Sequence, residues 1–211
     1  MAYTGLPEMQ GLYDPRYEHD SCGVGFIADI KNRKSHSIVS DGLQILINLD
    51  HRGAVGADPK ASDGAGILTQ IPDRFFREEC AALGIDLPPV GAYAVGMLFL
   101  SQNPETRARH EATITRVFEA EGQKVLGWRD VPTDPSCLGY SVKRNMPFIR
   151  QVFVARGKNC PTQEAFERKL FVSRKQAHHA IWDYEDNRAE SRVYIPSFSS
   201  RTVLYKGMLM A

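Results

Sequence analysis

The sequence predicts a layered domain of mixed helices and strands, α/β or α+β in class, behind a short polar leader. Short apolar runs of strand length alternate with segments whose apolar residues recur every three or four positions, the pattern of mixed layers. The 211 residues are 43% apolar and 24% charged, enough for one large domain or an uneven pair at about 150 residues per domain. The longest apolar run, Ala92–Leu100, has nine residues, well short of the ~20 a membrane-spanning helix requires.

Taken in order, Met1–Ser21 lacks a sustained period and holds Gly5, Pro7, Gly11 and Pro15, so it reads as an extended leader. Its charges, from Glu8 to Asp20, and its lack of an apolar stretch exclude a secretory signal. Val24–Ile30 reads as a strand. Ser37 to about Asp50 reads as a helix capped by Ser37, with Val39, Leu43, Leu46 and Ile47 on one face and Gly53 past its end. Gly64–Ile71 reads as a strand, followed by a helix with Pro72 in its first turn and Phe75, Phe76 and Leu83 along it. Tyr93–Leu100 is a strand, and Asn103-Pro104 opens the next helix, with Ile114, Val117 and Phe118 inward. Lys124–Val131 and Ile149–Ala155 read as strands across a loop, and Thr162–Tyr184 as the longest helix. Arg192–Tyr194 and Thr202–Tyr205 read as a hairpin around Pro196–Arg201.

Several functions are excluded by residue type or spacing. A net charge of +1 gives no basic field for nucleic acid. Gly23-x-Gly25-x-x-Ala28 imitates a dinucleotide fingerprint, but a strand follows it where a helix should begin. The Gly53–Gly66 cluster lacks the Gly-Lys-Ser/Thr of a phosphate loop. His178 and His179 are adjacent, so on a helix they point about 100° apart and cannot chelate one metal. Trp128 and Trp182 read as core or helix-packing aromatics. The four cysteines form no Cys-x-x-Cys pair, which fits free thiols in a reducing compartment and a cytoplasmic enzyme or binding domain. Cys80 reads as core filler.

Cys22 differs, because it stands at the head of a strand directly after the leader. If the Ser21–Cys22 bond is cut, the residue gains an α-amine with a pKa of about 7.7–8, beside a thiol of about 8.5. Nucleophile and base then belong to one residue. The small Gly23 and Gly25 would allow a substrate close to the strand. The other reading of these residues is a buried strand cysteine behind an uncut leader.

Cys22-Gly23-Val24-Gly25-Phe26, Asp50-His51-Arg52-Gly53 and Ser62-Asp63-Gly64-Ala65-Gly66-Ile67 closely resemble the class II glutamine amidotransferases. Within that family, His51–Asp58, Tyr93–Met97, Leu126–Pro132, Gln151–Phe153, Phe166–Leu170 and Ser199–Met208 are similar to the glutamate synthase large-subunit group. The resemblance implies an α+β fold of the N-terminal-nucleophile (Ntn) hydrolase type, a four-layer αββα sandwich, incomplete at the C-terminus. The implied domain occupies residues 22–211, and residues 1–21 form a propeptide.

By the same resemblance, Cys22 would attack the carboxamide of L-glutamine and release ammonia and glutamate through a thioester. Arg52 would support the glutamine site, although a helix-end charge is its other reading. Gly23, Gly25, Gly53, Asp63 and Gly64 would shape the surrounding backbone. Also implied are the rest of the large subunit, to which ammonia passes for 2-oxoglutarate, and a small electron-supplying subunit. FMN and an iron–sulfur cluster would belong to the parent alone, with no cofactor or metal in this chain.

The family's Asn-Gly pair, which supplies oxyanion donors, has no counterpart here, since the sequence contains no Asn-Gly dipeptide. One such donor is worth about 2.7–4 kcal/mol, so the 211 residues alone are expected to show little glutaminase activity. Two other functions stay open from the residues. One is an Ntn amidase or peptidase with another substrate. The other is a non-catalytic interaction domain with an inert Cys22.

Overall fold

The computed structural model describes residues 8–12, 14, 16, 23–49, 60, 64–184 and 193–207. Two compact units divide the chain at Val55 and Gly56. In the first, residues 23–29 belong to no helix or strand, so the strand expected at Val24–Ile30 is not found there. A strand needs a partner for its backbone hydrogen bonds, and no described segment offers one. After a turn in which Asp29 accepts from the backbone of Lys31 at 2.7 Å, helix α1 spans His36–Asn48. Its cap is Ser35, whose hydroxyl accepts from the Ser37 amide at 3.1 Å, so the capping residue lies two positions before the Ser37 expected from sequence.

The second unit holds the remaining elements, in an α+β arrangement with two antiparallel sheets. The strands are β1 (Ala65–Gln70), β2 (Tyr93–Leu100), β3 (Lys124–Asp130), β4 (Phe148–Ala155), β5 (Tyr194–Ser199) and β6 (Thr202–Gly207). The helices are α2 (Asp73–Ala82), α3 (Pro104–Ala120), α4 (Tyr140–Asn145) and α5 (Gln163–Tyr184). One sheet has the order β3-β4-β2-β5, and β1 pairs with β6 in a two-stranded ribbon.

The pleat of β2 explains the layers, because its side chains alternate between two cores. Ala94, Leu98 and Leu100 join Ile114 and Phe118 of α3 and Phe166, Leu170 and Ile181 of α5. Tyr93, Val95 and Met97 join Phe76 and Cys80 of α2, Phe153 of β4 and Val203 of β6. The four-stranded sheet therefore has α3 and α5 on one face and the ribbon with α2 on the other. Burial on both faces is why Tyr93–Leu100 reads as a continuous apolar run rather than an alternating one. Gly96 is required in its middle, where a Cβ would come within 2.8 Å of Val152.

Helix caps and ties follow from sequence. Asn103 accepts from the amides of Glu105 and Thr106 at 2.9 and 3.0 Å at the start of α3. Pro72 stands at the N-cap of α2 rather than in its first turn. Asp73 binds Tyr93 Oη at 2.9 Å and Arg77 Nε at 2.9 Å, which fixes α2 to β2.

Three sequence expectations are corrected. The loop between β3 and β4 contains α4, a six-residue helix with only Val142 buried, too short and too polar to show a period. Strand β5 runs through Pro196 and pairs with β2, while β6 pairs with β1, so the two form a corner between sheets, not a hairpin. Proline is tolerated because β5 is an edge strand, and the register slips between Met97 and Phe99 opposite it. Trp182 is exposed, lying against the His178 ring at 5.6 Å, whereas Trp128 packs on the core.

The corner at Ser199–Arg201 is held by Glu167 of α5. Its carboxylate accepts from the Ser200 amide at 2.7 Å and from both serine hydroxyls, Ser199 at 3.0 Å and Ser200 at 2.5 Å. The Arg201 carbonyl accepts from the Ile71 amide at 2.9 Å, which ties the end of β1 to the same corner.

Candidate functional site

Of the residues singled out from sequence, Cys22, Arg52, Gly53 and Asp63 lie outside the described residues. Gly23, Gly25 and Gly64 are described, and each is small for a packing reason. A Cβ on Gly23 would come within 2.8 Å of Leu49 Cδ2, and one on Gly25 would meet Ile45 Cγ2. Gly23 and Gly25 therefore lie close against Leu49 and Ile45, at the C-terminal half of α1. That contact gives both glycines a packing reason beside the close substrate approach expected from sequence.

Gly64 and Gly66 serve the ribbon of the second unit. A Cβ on Gly64 would stand 3.1 Å from the Gly207 carbonyl oxygen, and one on Gly66 2.9 Å from that of Tyr205. Residues 64–67 of the motif thus meet β6 backbone to backbone, in the register Ala65↔Gly207 and Ile67↔Tyr205. A side chain at Gly66 would force the β6 backbone to shift, and one at Gly64 would need it to give by a few tenths of an ångström.

Sequence reasoning missed a buried polar chain beneath the ribbon. Arg129 of β3, 6% exposed, donates from Nε to Glu79 Oε2 at 3.0 Å and from Nη1 to Gln151 Oε1 at 3.0 Å. Its Nη2 also meets Glu79 Oε2. Gln151 of β4, fully buried, donates from Nε2 to Tyr205 Oη at 3.2 Å. Burial pushes the Tyr205 phenol above its ordinary pKa, so it stays neutral. A signal was available in sequence. Gln151 interrupts an apolar strand, and Arg129 falls among core-facing neighbours of another.

The described cysteines show what an unactivated thiol looks like here. Cys80 is sealed in the core, and burial raises its pKa to about 11. Glu79 adds to that rise and Arg129 opposes it. Cys160 is buried and Cys137 exposed. Iodoacetamide at pH 8 is therefore expected to modify Cys137 while Cys80 and Cys160 stay unmodified until the chain is denatured. Peptide mapping by mass spectrometry checks this, and modification of Cys80 at the rate of Cys137 would contradict it. Because its folded pKa is raised, Cys80 contributes stability below its unfolded value of ~8.5, and that contribution is lost as pH rises through about 11.

Among the described residues, no three His, Cys, Asp or Glu side chains converge as a metal site. No helix there is long and apolar enough to cross a membrane.

Residues 22–211 match the family described as glutamine amidotransferases class-II, and the chain belongs to that family. Its match begins at Cys22. The relatives are more particular. The chain is 46% identical over 209 residues to a glutamate synthase [NADPH] large chain of Bacillus subtilis, covering 99% of this chain and 13% of that protein. It is 41% identical over 209 residues to a glutamate synthase [NADH] of Schizosaccharomyces pombe, covering 97% and 10%. It is 39% identical over 203 residues to a chloroplastic ferredoxin-dependent glutamate synthase 2 of Arabidopsis thaliana, covering 96% and 12%. The chain thus spans only 10–13% of the length of these relatives.

Proposed function

We propose that this chain is the glutaminase part of a glutamate synthase large subunit, with Cys22 as nucleophile. The observation that carries the reading is the family match, which starts at Cys22 and runs to residue 211. The identities of 39–46% to three glutamate synthases support the particular parent.

Removal of Met1–Ser21 would free the Cys22 α-amine, which accepts the thiol proton. The sulfur then adds to the carboxamide carbon of glutamine, and the carbonyl electrons move onto oxygen. Collapse of that adduct expels nitrogen, which leaves as ammonia carrying the proton returned by the amine. Water, deprotonated by the same amine, attacks the thioester, and glutamate departs as the thiol is restored. Arg52 would support the glutamine site. Asp63, Gly53 and Gly64 would hold the backbone around it, a role that the approach of Gly64 to Gly207 supports.

In the parent, ammonia would pass to a 2-oxoglutarate site, with FMN, an iron–sulfur cluster and a small electron-supplying subunit serving other regions. A reducing compartment such as the cytoplasm would keep Cys22 a thiol.

The test is ammonia release from glutamine by the full-length parent, with the intact mass of the same preparation. The expected result is turnover together with loss of the first 21 residues. Turnover with Met1 or Ala2 still attached, or a processed protein without turnover, would overturn the reading.

A further inference from the structure

We infer that the outward face of α5 docks on an acidic surface of the rest of the parent polypeptide. The inference rests on the proposed glutamate synthase parent and adds an interface to it. It begins with a helix that carries large apolar side chains on two opposite sides. Leu170, Ala177 and Ile181 are buried in the core shared with α3 and β2. On the far side, at 3.6 residues per turn, Arg168, Phe171, Val172, Lys175, His179 and Trp182 form one exposed stripe. Phe171 is 57% and Trp182 54% exposed, and the His178 ring packs on the indole at 5.6 Å. Single exposed apolar residues are ordinary. Two aromatic rings and a valine aligned on one stripe depart from the polar outer face of a solvated helix.

The same stripe has charge of one sign. No acidic residue lies between Glu167 and Asp183, while that stretch holds Arg168, Lys169, Arg174 and Lys175. The whole chain is nearly neutral at +1, so the excess is local. Two of these cations are used within the fold. Lys169 meets Glu121 at 2.6 Å, and Arg174 lies over the Phe171 ring at 5.5 Å. Arg168 and Lys175 form no ion pair among the described residues. A partner with carboxylates opposite them and apolar side chains over Phe171 and Trp182 matches the stripe in both respects.

Area favours a partner on the same polypeptide. From Arg168 to Trp182 the stripe is about 21 Å long and about 10 Å wide, which gives roughly 200 Å². A stable contact between separate chains buries about 800 Å² on each partner, so a second copy is a poor occupant. A surface joined through the same backbone is presented at an effective concentration of about millimolar, and a small patch then suffices. The chain spans only 10–13% of the length of its relatives, which leaves most of the parent to supply that surface. A lipid surface takes up a helix by its main apolar face, and in α5 that face is occupied by the core.

The experiment treats the full-length parent with a water-soluble carbodiimide, which joins an amine to a carboxylate in contact with it, and maps the links by peptide mass. The Lys169–Glu121 pair serves as internal reference. The expected result is a link from Lys175 to an Asp or Glu outside residues 1–211, shown by mixing light and heavy isotope preparations to lie within one polypeptide. Lys175→Glu, a change at an exposed position, sets like charges against each other and opens the contact, so hydroxyl-radical oxidation of Trp182 is expected to rise about tenfold. A Lys175 that stays unlinked, or links only within residues 1–211 or to a second copy, while Lys169–Glu121 forms, would overturn the inference. Trp182 oxidation within twofold in the two proteins would do the same. A native protein with the intact mass of these 211 residues alone would instead remove the reading on which the inference rests.

Discussion

Cys22→Ala in the full-length parent is expected to lower glutamine-dependent ammonia release by on the order of 10⁴-fold or more, the scale seen when an enzyme loses its nucleophile. The family match begins at this residue, and none of the described cysteines resembles an attacking group. Cys80 is sealed with a raised pKa, Cys160 is buried, and Cys137 lies exposed in a loop. The variant carries a second expected readout. If Cys22 itself attacks the Ser21 carbonyl to release the leader, the alanine protein keeps Met1–Ser21 and runs heavier by that segment. Ammonia release within tenfold of the wild type would mean that another group performs the attack.

The second large effect concerns stability. Phe153→Ala is expected to destabilise the second unit by about 3–5 kcal/mol, the usual cost of emptying a buried aromatic site. Phe153 is fully buried at the centre of β4, and its ring meets Phe76 edge-on with centroids 5.3 Å apart. Both the transfer of the ring and the edge-to-face contact are lost, and the neighbours come from a sheet, a helix and the ribbon, which cannot all collapse inward together. At roughly 2–4 °C per kcal/mol for a chain of this size, the melting temperature falls on the order of 10 °C. Circular dichroism melts of wild type and variant check it, and a fall under about 2 °C would show the site to be loosely packed.

These effects fall on parts of the molecule that were unequally legible in the sequence. Tyr93–Leu100 was readable to the residue, because a strand buried on both faces leaves an uninterrupted apolar run between turn signals. The helix starting at Pro104 was equally plain, since Asn103 has the side chain to accept two orphan amides. Val24–Ile30 is largely apolar, yet apolar character alone cannot supply a pairing partner. Pro196 looked like a turn residue because its position at a sheet edge depends on strand order, which no local window contains.

The candidate site divides the same way. The resemblance named Cys22 and Arg52 directly, and the family match supports that resemblance as a whole. Gly64 was legible as a backbone residue, and its reason, the Gly207 carbonyl oxygen 3.1 Å from any Cβ placed there, comes from a strand more than 130 residues later. The chain from Glu79 to Tyr205 draws on four separate elements. Each member looks like an ordinary polar residue in its own segment, and only the strand pairing brings them together.

The dependence of Cys22 on its own nitrogen can be measured through its reaction with a diazo-ketone analogue of glutamine. The full-length parent is compared in its processed form and in a form whose leader stays attached, with adducts located by peptide mass. The expected result is rapid labelling of Cys22 once its amine is free, and at least 10²-fold slower labelling, the usual contribution of a general base, while that nitrogen is held in a peptide bond. Equal labelling of the two forms would contradict it.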